Sequence, residues 1–235
     1  MKRSINFIFI LTLLVVFASC KKDNRDAPDS TFKGRITYQG QPIMVDQGQV
    51  RFQLWEPGWG TLAPIDVAVS QEGTFSAILF NGNYKLVLPK NDGPYLAKVD
   101  GGAAKDTIMV NISGNKEMDI EVLPYYMVRS AQFAQASGRV NATAKIEKII
   151  TDANAKNIEK VSLFINRTPF VGANGNLQIQ RKDSAVVAGT DLNNLQLSVP
   201  IPTITPAQNF VYARVGVKIL NVDDWVYSPI QKITY

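Results

Sequence analysis

The feature that most constrains this chain is an apolar alternation of period two, repeated in short segments and never relaxed to the three-to-four spacing of a helix. In "GQVRFQLW" (48–55) Val50, Phe52 and Leu54 share one face, and in "NYKLVL" (83–88) Tyr84, Leu86 and Leu88 do. Such alternation marks strands buried on one side. In "MDIEV" (118–122) Met118, Ile120 and Val122 point one way, Asp119 and Glu121 the other. Gly, Asn, Asp and Pro punctuate the segments, and no window offers three turns of amphipathic helix. The expected fold class is therefore all-β. The 235 residues would fill one large β domain or two of about 100–130 residues. "VLPYYM" (122–127) sets a boundary, because Pro124 ends a strand. The expectation is two tandem β-sandwich domains, residues 32–124 and 125–235.

Ahead of them lies a segment of another kind. Lys2 and Arg3 open it, "INFIFILTLLVVFA" (5–18) follows with only Asn6 and Thr12 as polar breaks, and Ala18 and Ser19 close it. Residues 1–19 have the layout of a secretory signal peptide, too short to span a bilayer, which takes about 20 apolar residues. Cys20, the one cysteine in the sequence, comes next. A lone thiol in a secreted chain cannot close an internal disulfide. "FASC" (17–20) resembles a bacterial lipobox, in which a small residue precedes a cysteine that is acylated and becomes the new N-terminus; Phe17 and Ser19 depart from the usual Leu and Gly or Ala. The resemblance implies lipid attachment at Cys20 and a place on the outer membrane, at its periplasmic or cell-surface face. Several acyl chains, each buried methylene contributing about 0.8 kcal/mol, would anchor the protein without spanning. Residues 20–31, with the polar run "KKDNRDAPDS" (21–30), read as an acylated tether. The net charge of +5 is too mild for a nucleic-acid partner. Residues 32–124 carry eight basic and ten acidic side chains, net −2; residues 125–235 carry twelve and seven, net +5. That asymmetry reads as two solvated surfaces that attract weakly.

The order of segments in the first half carries a resemblance. "GRITYQGQPI" (34–43), "GQVRFQLWEPG" (48–58), "IDVAVSQEGTFSAILFNGNYKLVLP" (65–89) and "TIMVNISGNKEMDIEVLPYY" (107–126) are similar to a transthyretin-like or carboxypeptidase-regulatory-like sandwich. Glu72-Gly73-Thr74-Phe75 stands for its Asp-Gly-x-Phe turn, with Glu for Asp, and Gly82 with Tyr84 for its Gly-x-Tyr strand. Tight turns need the positive φ that glycine adopts cheaply, and Phe75 and Tyr84 are expected in the core. In the second half Tyr212, Arg214 and Val215, with "YSPIQKI" (227–233), resemble the closing hairpin of immunoglobulin or fibronectin III modules. Together with the leader, this resembles the DUF3823 family of Bacteroidetes lipoproteins. The resemblance implies a glycan-related surface role beside SusC/SusD-type uptake systems, with glycan and SusC/SusD-like proteins as partners.

Glycan recognition needs stacking faces and hydroxyl partners. "LWEPGWG" (54–60) supplies Trp55 and Trp59, and "VDDWVYS" (222–228) supplies Trp225 and Tyr227 beside Asp223 and Asp224. Sugar C–H faces stack on such rings while carboxylates accept from hydroxyls. A sandwich core also consumes large aromatics, and Trp55 points outward provided its strand continues past Leu54. The absence of histidine excludes His-dependent triads, Cys–His nucleophiles and His-based metal sites. No G-x-S-x-G elbow, P-loop or dinucleotide fingerprint occurs. "DANAKNIEKVSL" (152–163) fails as a calcium loop, with Lys156 at a ligand position, Asn157 for the glycine and Leu163 for the terminal glutamate. Asp92 and Asp100 read as parts of a Gly-rich loop in preference to a looser calcium site, and Asp119 with Glu121 as a solvated face rather than a glycosidase acid and base. No catalytic residue, metal or cofactor is expected. Ser30, Thr107 and Ser184 stand in Asp-Ser/Thr contexts that resemble Bacteroidetes O-glycosylation acceptors. The competing function is a structural or adhesive surface module whose sheet edges pair with another protein.

Overall fold

The computed structural model describes residues 26–58, 61–100 and 103–235. The first sandwich holds β1 (Ser30–Tyr38), β2 (Gln41–Pro42), β3 (Arg51–Trp55), β4 (Pro64–Ala68), β5 (Thr74–Leu79), β6 (Gly82–Val87), β7 (Tyr95–Ala97), β8 (Val99–Asp100), β9 (Ala103–Ala104), β10 (Thr107–Ile112), β11 (Lys116–Glu117) and β12 (Ile120–Pro124). The second holds β13 (Tyr126–Ala136), β14 (Arg139–Lys148), β15 (Ile158–Asn166), β16 (Gln180–Ala185), β17 (Leu195–Pro200), β18 (Phe210–Ile219), β19 (Trp225–Tyr227) and β20 (Gln231–Thr234). The one helical piece among the described residues is the 3₁₀ turn Gly175–Leu177.

In the first sandwich, a sheet ordered β11-β1-β12-β7, with β2 and β5 also on β1, faces a sheet ordered β10-β6-β3-β4. Strand β1 pairs parallel first with β11, Phe32 opposite Lys116, and then with β12, Ile36 opposite Ile120. Gly34 sits where the partner changes. A Cβ there would lie 1.9 Å from the Met118 carbonyl oxygen, so the close backbone approach requires glycine. The two carboxylates of "MDIEV" pin this parallel pairing. Asp119 accepts from the Arg35 N–H at 3.0 Å and from its guanidinium; Glu121 accepts from the Thr37 hydroxyl at 2.9 Å and the Gln39 N–H at 2.6 Å. The bonds from Arg35 hold Asp119 below the usual carboxylate range. Phe75 and Tyr84 are core residues, as expected, and Phe75 packs between Phe32 and Phe52 at ring-centroid distances of 5.1 and 4.8 Å.

In the second sandwich, β13-β14-β17 faces β16-β15-β18-β19, with β20 also on β18. Strands β15 and β18 are buried on both faces: Val161, Leu163 and Ile165 point into their own sandwich, yet Ser162, Phe164, Arg214 and Gly216 on the other face are buried too or lie among buried neighbours. The first sandwich supplies the cover. Met44 and Tyr227 form a β-bridge, the Tyr227 N–H donating to the Met44 carbonyl at 3.0 Å. The Arg214 guanidinium, wholly buried, donates to the Val45 carbonyl at 3.0 Å and to Asp46 at 3.3 Å, and stacks 3.5 Å from the Tyr227 ring centroid. The Tyr227 hydroxyl donates to the same Asp46 oxygen at 2.7 Å. Burial pushes the Asp46 carboxyl up against the pull of Tyr227 and Arg214, and pushes Arg214 down. Gln71 reaches the Pro169 carbonyl at 2.9 Å, and the Gly93 N–H reaches Asp224 at 2.8 Å. The opposite charges of the two halves therefore do more than attract across solvent, since one pair is buried where the sandwiches meet.

Candidate functional site

The outward face of the β10-β6-β3-β4 sheet is built by alternation. With Phe52 and Leu54 fully buried in the core, Gln53 and Trp55 must point away from it, and β3 runs as far as Trp55. Register places Pro64, Trp55, Lys85 and Met109 in one row across four strands, and Asp66, Gln53, Val87 and Thr107 in the next. Asn83 and Asn111 form a further pair on β6 and β10, bonded at 2.7 Å. The half-buried Trp55 donates its indole N–H to Gln53 at 3.2 Å, and Gln53 donates in turn to Asp66 at 3.3 Å. This chain fixes the ring's orientation before any ligand arrives. Lys85, Asp66 and Asn83 are exposed around it. The face thus joins an oriented indole to donors and acceptors on a broad sheet, an arrangement that can stack a sugar ring and bond its hydroxyls.

The other sequence candidates are dispersed. Trp225 and Tyr227 are only 7% and 2% exposed, which corrects the expectation that they stack on sugar. Trp225 packs edge-on against Phe164 at 5.3 Å and lies stacked with Tyr227 at 6.1 Å, so their faces are spent in a buried cluster of the second sandwich, against which Met44 of the first packs. Asp223 is exposed, whereas the half-buried Asp224 accepts from Gly93 of the other sandwich. Ser30 is 2% exposed and donates to Asn81 at 2.8 Å, so its hydroxyl is inaccessible to a glycosyltransferase, a second correction. Thr107 is exposed on the Trp55 face, and Ser184 is half-buried on β16. Trp59 and Cys20, with the leader, lie outside the described residues, as does the side chain of Asp100. Among the described residues no three His, Cys, Asp or Glu side chains are grouped to hold a metal, and no helix is long and apolar enough to cross a membrane. Sequence reasoning missed Gln53, Asp66 and Lys85; carrying the β3 alternation onto its neighbours would have found them.

Fold and site together define a class: a tandem β-sandwich protein with an aromatic-bearing sheet face exposed. The chain belongs to the DUF3823 family. The model described as "Protein of unknown function (DUF3823) N-terminal domain" matches residues 30–123, and that described as "Domain of unknown function (DUF3823_C)" matches residues 126–232. A DUF3823 family protein from Parabacteroides merdae ATCC 43184 is 32% identical with a TM-score of 0.74, over 89% of this chain and all of that one. Another, from Bacteroides ovatus ATCC 8483, is 28% identical with a TM-score of 0.74, over 88% and 99%. A structure from Bacteroides uniformis ATCC 8492, described as a "putative carbohydrate binding protein", shares the fold at 17% identity and a TM-score of 0.68, over 89% and 100%. No curated protein matches the chain.

Proposed function

We propose that this protein is a non-catalytic glycan-binding lipoprotein, anchored through Cys20 on the outer membrane as an accessory to a SusC/SusD-type uptake system. The observation that carries the reading is the Trp55 face, where the indole is held by Gln53 and Asp66 and ringed by exposed polar side chains. The carbohydrate-binding description of the Bacteroides uniformis structure supports it. Affinity electrophoresis through xylan, galactomannan and pullulan tests it. Retention by one of them is expected, with Trp55→Ala weakening it by about 1–2 kcal/mol, roughly tenfold, and Trp55→Phe by less. Migration unaffected by all three polysaccharides, or equal for wild type and Trp55→Ala, would remove the sheet face from consideration, and a co-purifying protein bound at a sheet edge would then take its place.

The anchor has its own test. Cys20→Ala removes the acylation site, and "KKDNRDAPDS" offers no apolar surface to hold the chain at a bilayer. The variant is expected in the soluble fraction or unprocessed, while wild type takes up a palmitate analogue and stays with membranes. A Cys20→Ala chain as membrane-bound as an unlabelled wild type would refute the anchor and leave the glycan question untouched.

A further inference from the structure

Where the sandwiches meet, the structure forms a polar, partly open cavity of about 280 Å³ lined by Asn91, Gly93 and Tyr95 on one side and Lys156, Asn221 and Asp223 on the other. Tyr95 is 6% exposed, and its hydroxyl is buried without a hydrogen-bond partner. A buried polar group left so costs about 1–3 kcal/mol, and buried polar atoms without partners are rare enough to need a reason. Burial and the charges of Asp92 and Asp224 push the phenol upward, so it remains a neutral donor. Gly93 makes room for the ring: at φ +108° it takes a left-handed conformation, and a Cβ there would lie 2.5 Å from Tyr95.

The lining selects the ligand by charge. Lys156 donates to the Asn221 carbonyl at 2.8 Å and lies 5.1 Å from the Tyr125 ring centroid, with ammonium protons to spare. Its charge opposes a metal cation. The exposed Asp223 opposes a phosphate or a carboxylate, and Asp224 stands beside it. A neutral ring of hydroxyls, which both donate and accept, suits both charges. The volume lies just below the usual range of ligand pockets, about 300–1,000 Å³, which suits one ring at a time.

We infer that this cavity between the sandwiches is a subsite for a single neutral sugar ring, with Tyr95 and Lys156 donating to its hydroxyls and Asp223 accepting from one. The inference rests on the glycan reading but on different residues. Asp92 accepts from the N–H of Arg51, at the start of β3, and Trp55 is four residues further on, about 14 Å at the rise of a strand.

Amide NMR on the full mature chain, titrated separately with glucose, galactose and N-acetylglucosamine, tests it. Saturable shifts of the Gly93 and Asn221 amides are expected with at least one sugar. Tyr95→Phe, which keeps the ring, and Lys156→Gln should each weaken binding about tenfold, while Trp55→Ala leaves these shifts intact. Gly93 and Asn221 amides unmoved by all three sugars, shifts equal in Tyr95→Phe, or shifts produced by calcium chloride or phosphate in place of sugar would each overturn the subsite. Failure of the Trp55 face shows instead in polysaccharide retention, so the two readings fail separately.

Discussion

Burial lifts the Asp224 carboxyl above the usual carboxylate range and Asp223 adds like charge, while the Gly93 N–H at 2.8 Å and the Lys218 charge pull it back. Asp92 is lifted by burial as well. In the unfolded chain both titrate near pH ~3.9, so the folded state holds their protons more tightly. The stability they contribute is complete below that value and is lost as pH rises through the folded one. Asp224→Asn keeps an acceptor for Gly93 and removes the titration. Relative to wild type, the variant should gain stability between pH 4 and pH 7, measured as the difference in urea midpoints; a difference constant across that range would show that Asp224 does not titrate abnormally. Asp119 has the opposite sign. Arg35 holds it low, so its contribution is present above pH ~3.9 and is lost on acidification, and its exposure keeps that contribution small.

Gly34 and Gly73 make the prediction for the strands. At Gly34 a Cβ would meet the Met118 carbonyl, and at Gly73, with φ +76°, it would lie 2.4 Å from the Ile43 carbonyl. Both obstacles are backbone, so neither can swing aside. Gly34→Ala and Gly73→Ala should each destabilise by about 2 kcal/mol or more, read from urea midpoints, with Gly40→Ala, which meets nothing within 4 Å, as the milder control at similar φ. Gly73 was legible in the sequence because Glu72-Gly73-Thr74-Phe75 is a local turn. Gly34 was not, because the strand it approaches lies more than 80 residues away. The same division runs through the sites. Period two is local, so the direction of Trp55 followed from Phe52 and Leu54. Alternation also says which residues of β18 face away from their own core, but not what covers them. Trp225 and Tyr227 therefore read as exposed stacking faces, until the segment around Met44 and Asp46, about 180 residues earlier, packs against their cluster. A cavity such as that of Tyr95 and Lys156 is set wholly by such distant packing.

The molecule's two halves share one continuous core, and the buried pair between them bears on how they unfold. Removing charge from water costs several kcal/mol per ion, and Asp46 and Arg214, 3% and 0% exposed, recover it only in each other's company and that of Tyr227, Ala173 and Val45. Arg214→Met leaves the Asp46 carboxylate buried without a counter-charge, and an expected loss of about 3–5 kcal/mol follows. Because that loss falls between the sandwiches, wild type should melt in one calorimetric transition and Arg214→Met in two, the sandwiches coming apart before either unfolds. Asp46→Asn combined with Arg214→Met removes both charges and should recover part of the loss, which separates the unpaired charge from mere loss of arginine packing. Tyr227→Phe keeps the ring under the guanidinium and gives up only the 2.7 Å bond to Asp46, so it should lower the midpoint without splitting the transition. A single transition for Arg214→Met at the wild-type midpoint would mean that the sandwiches are held together by their apolar contact alone, with the charge pair contributing nothing to their coupling.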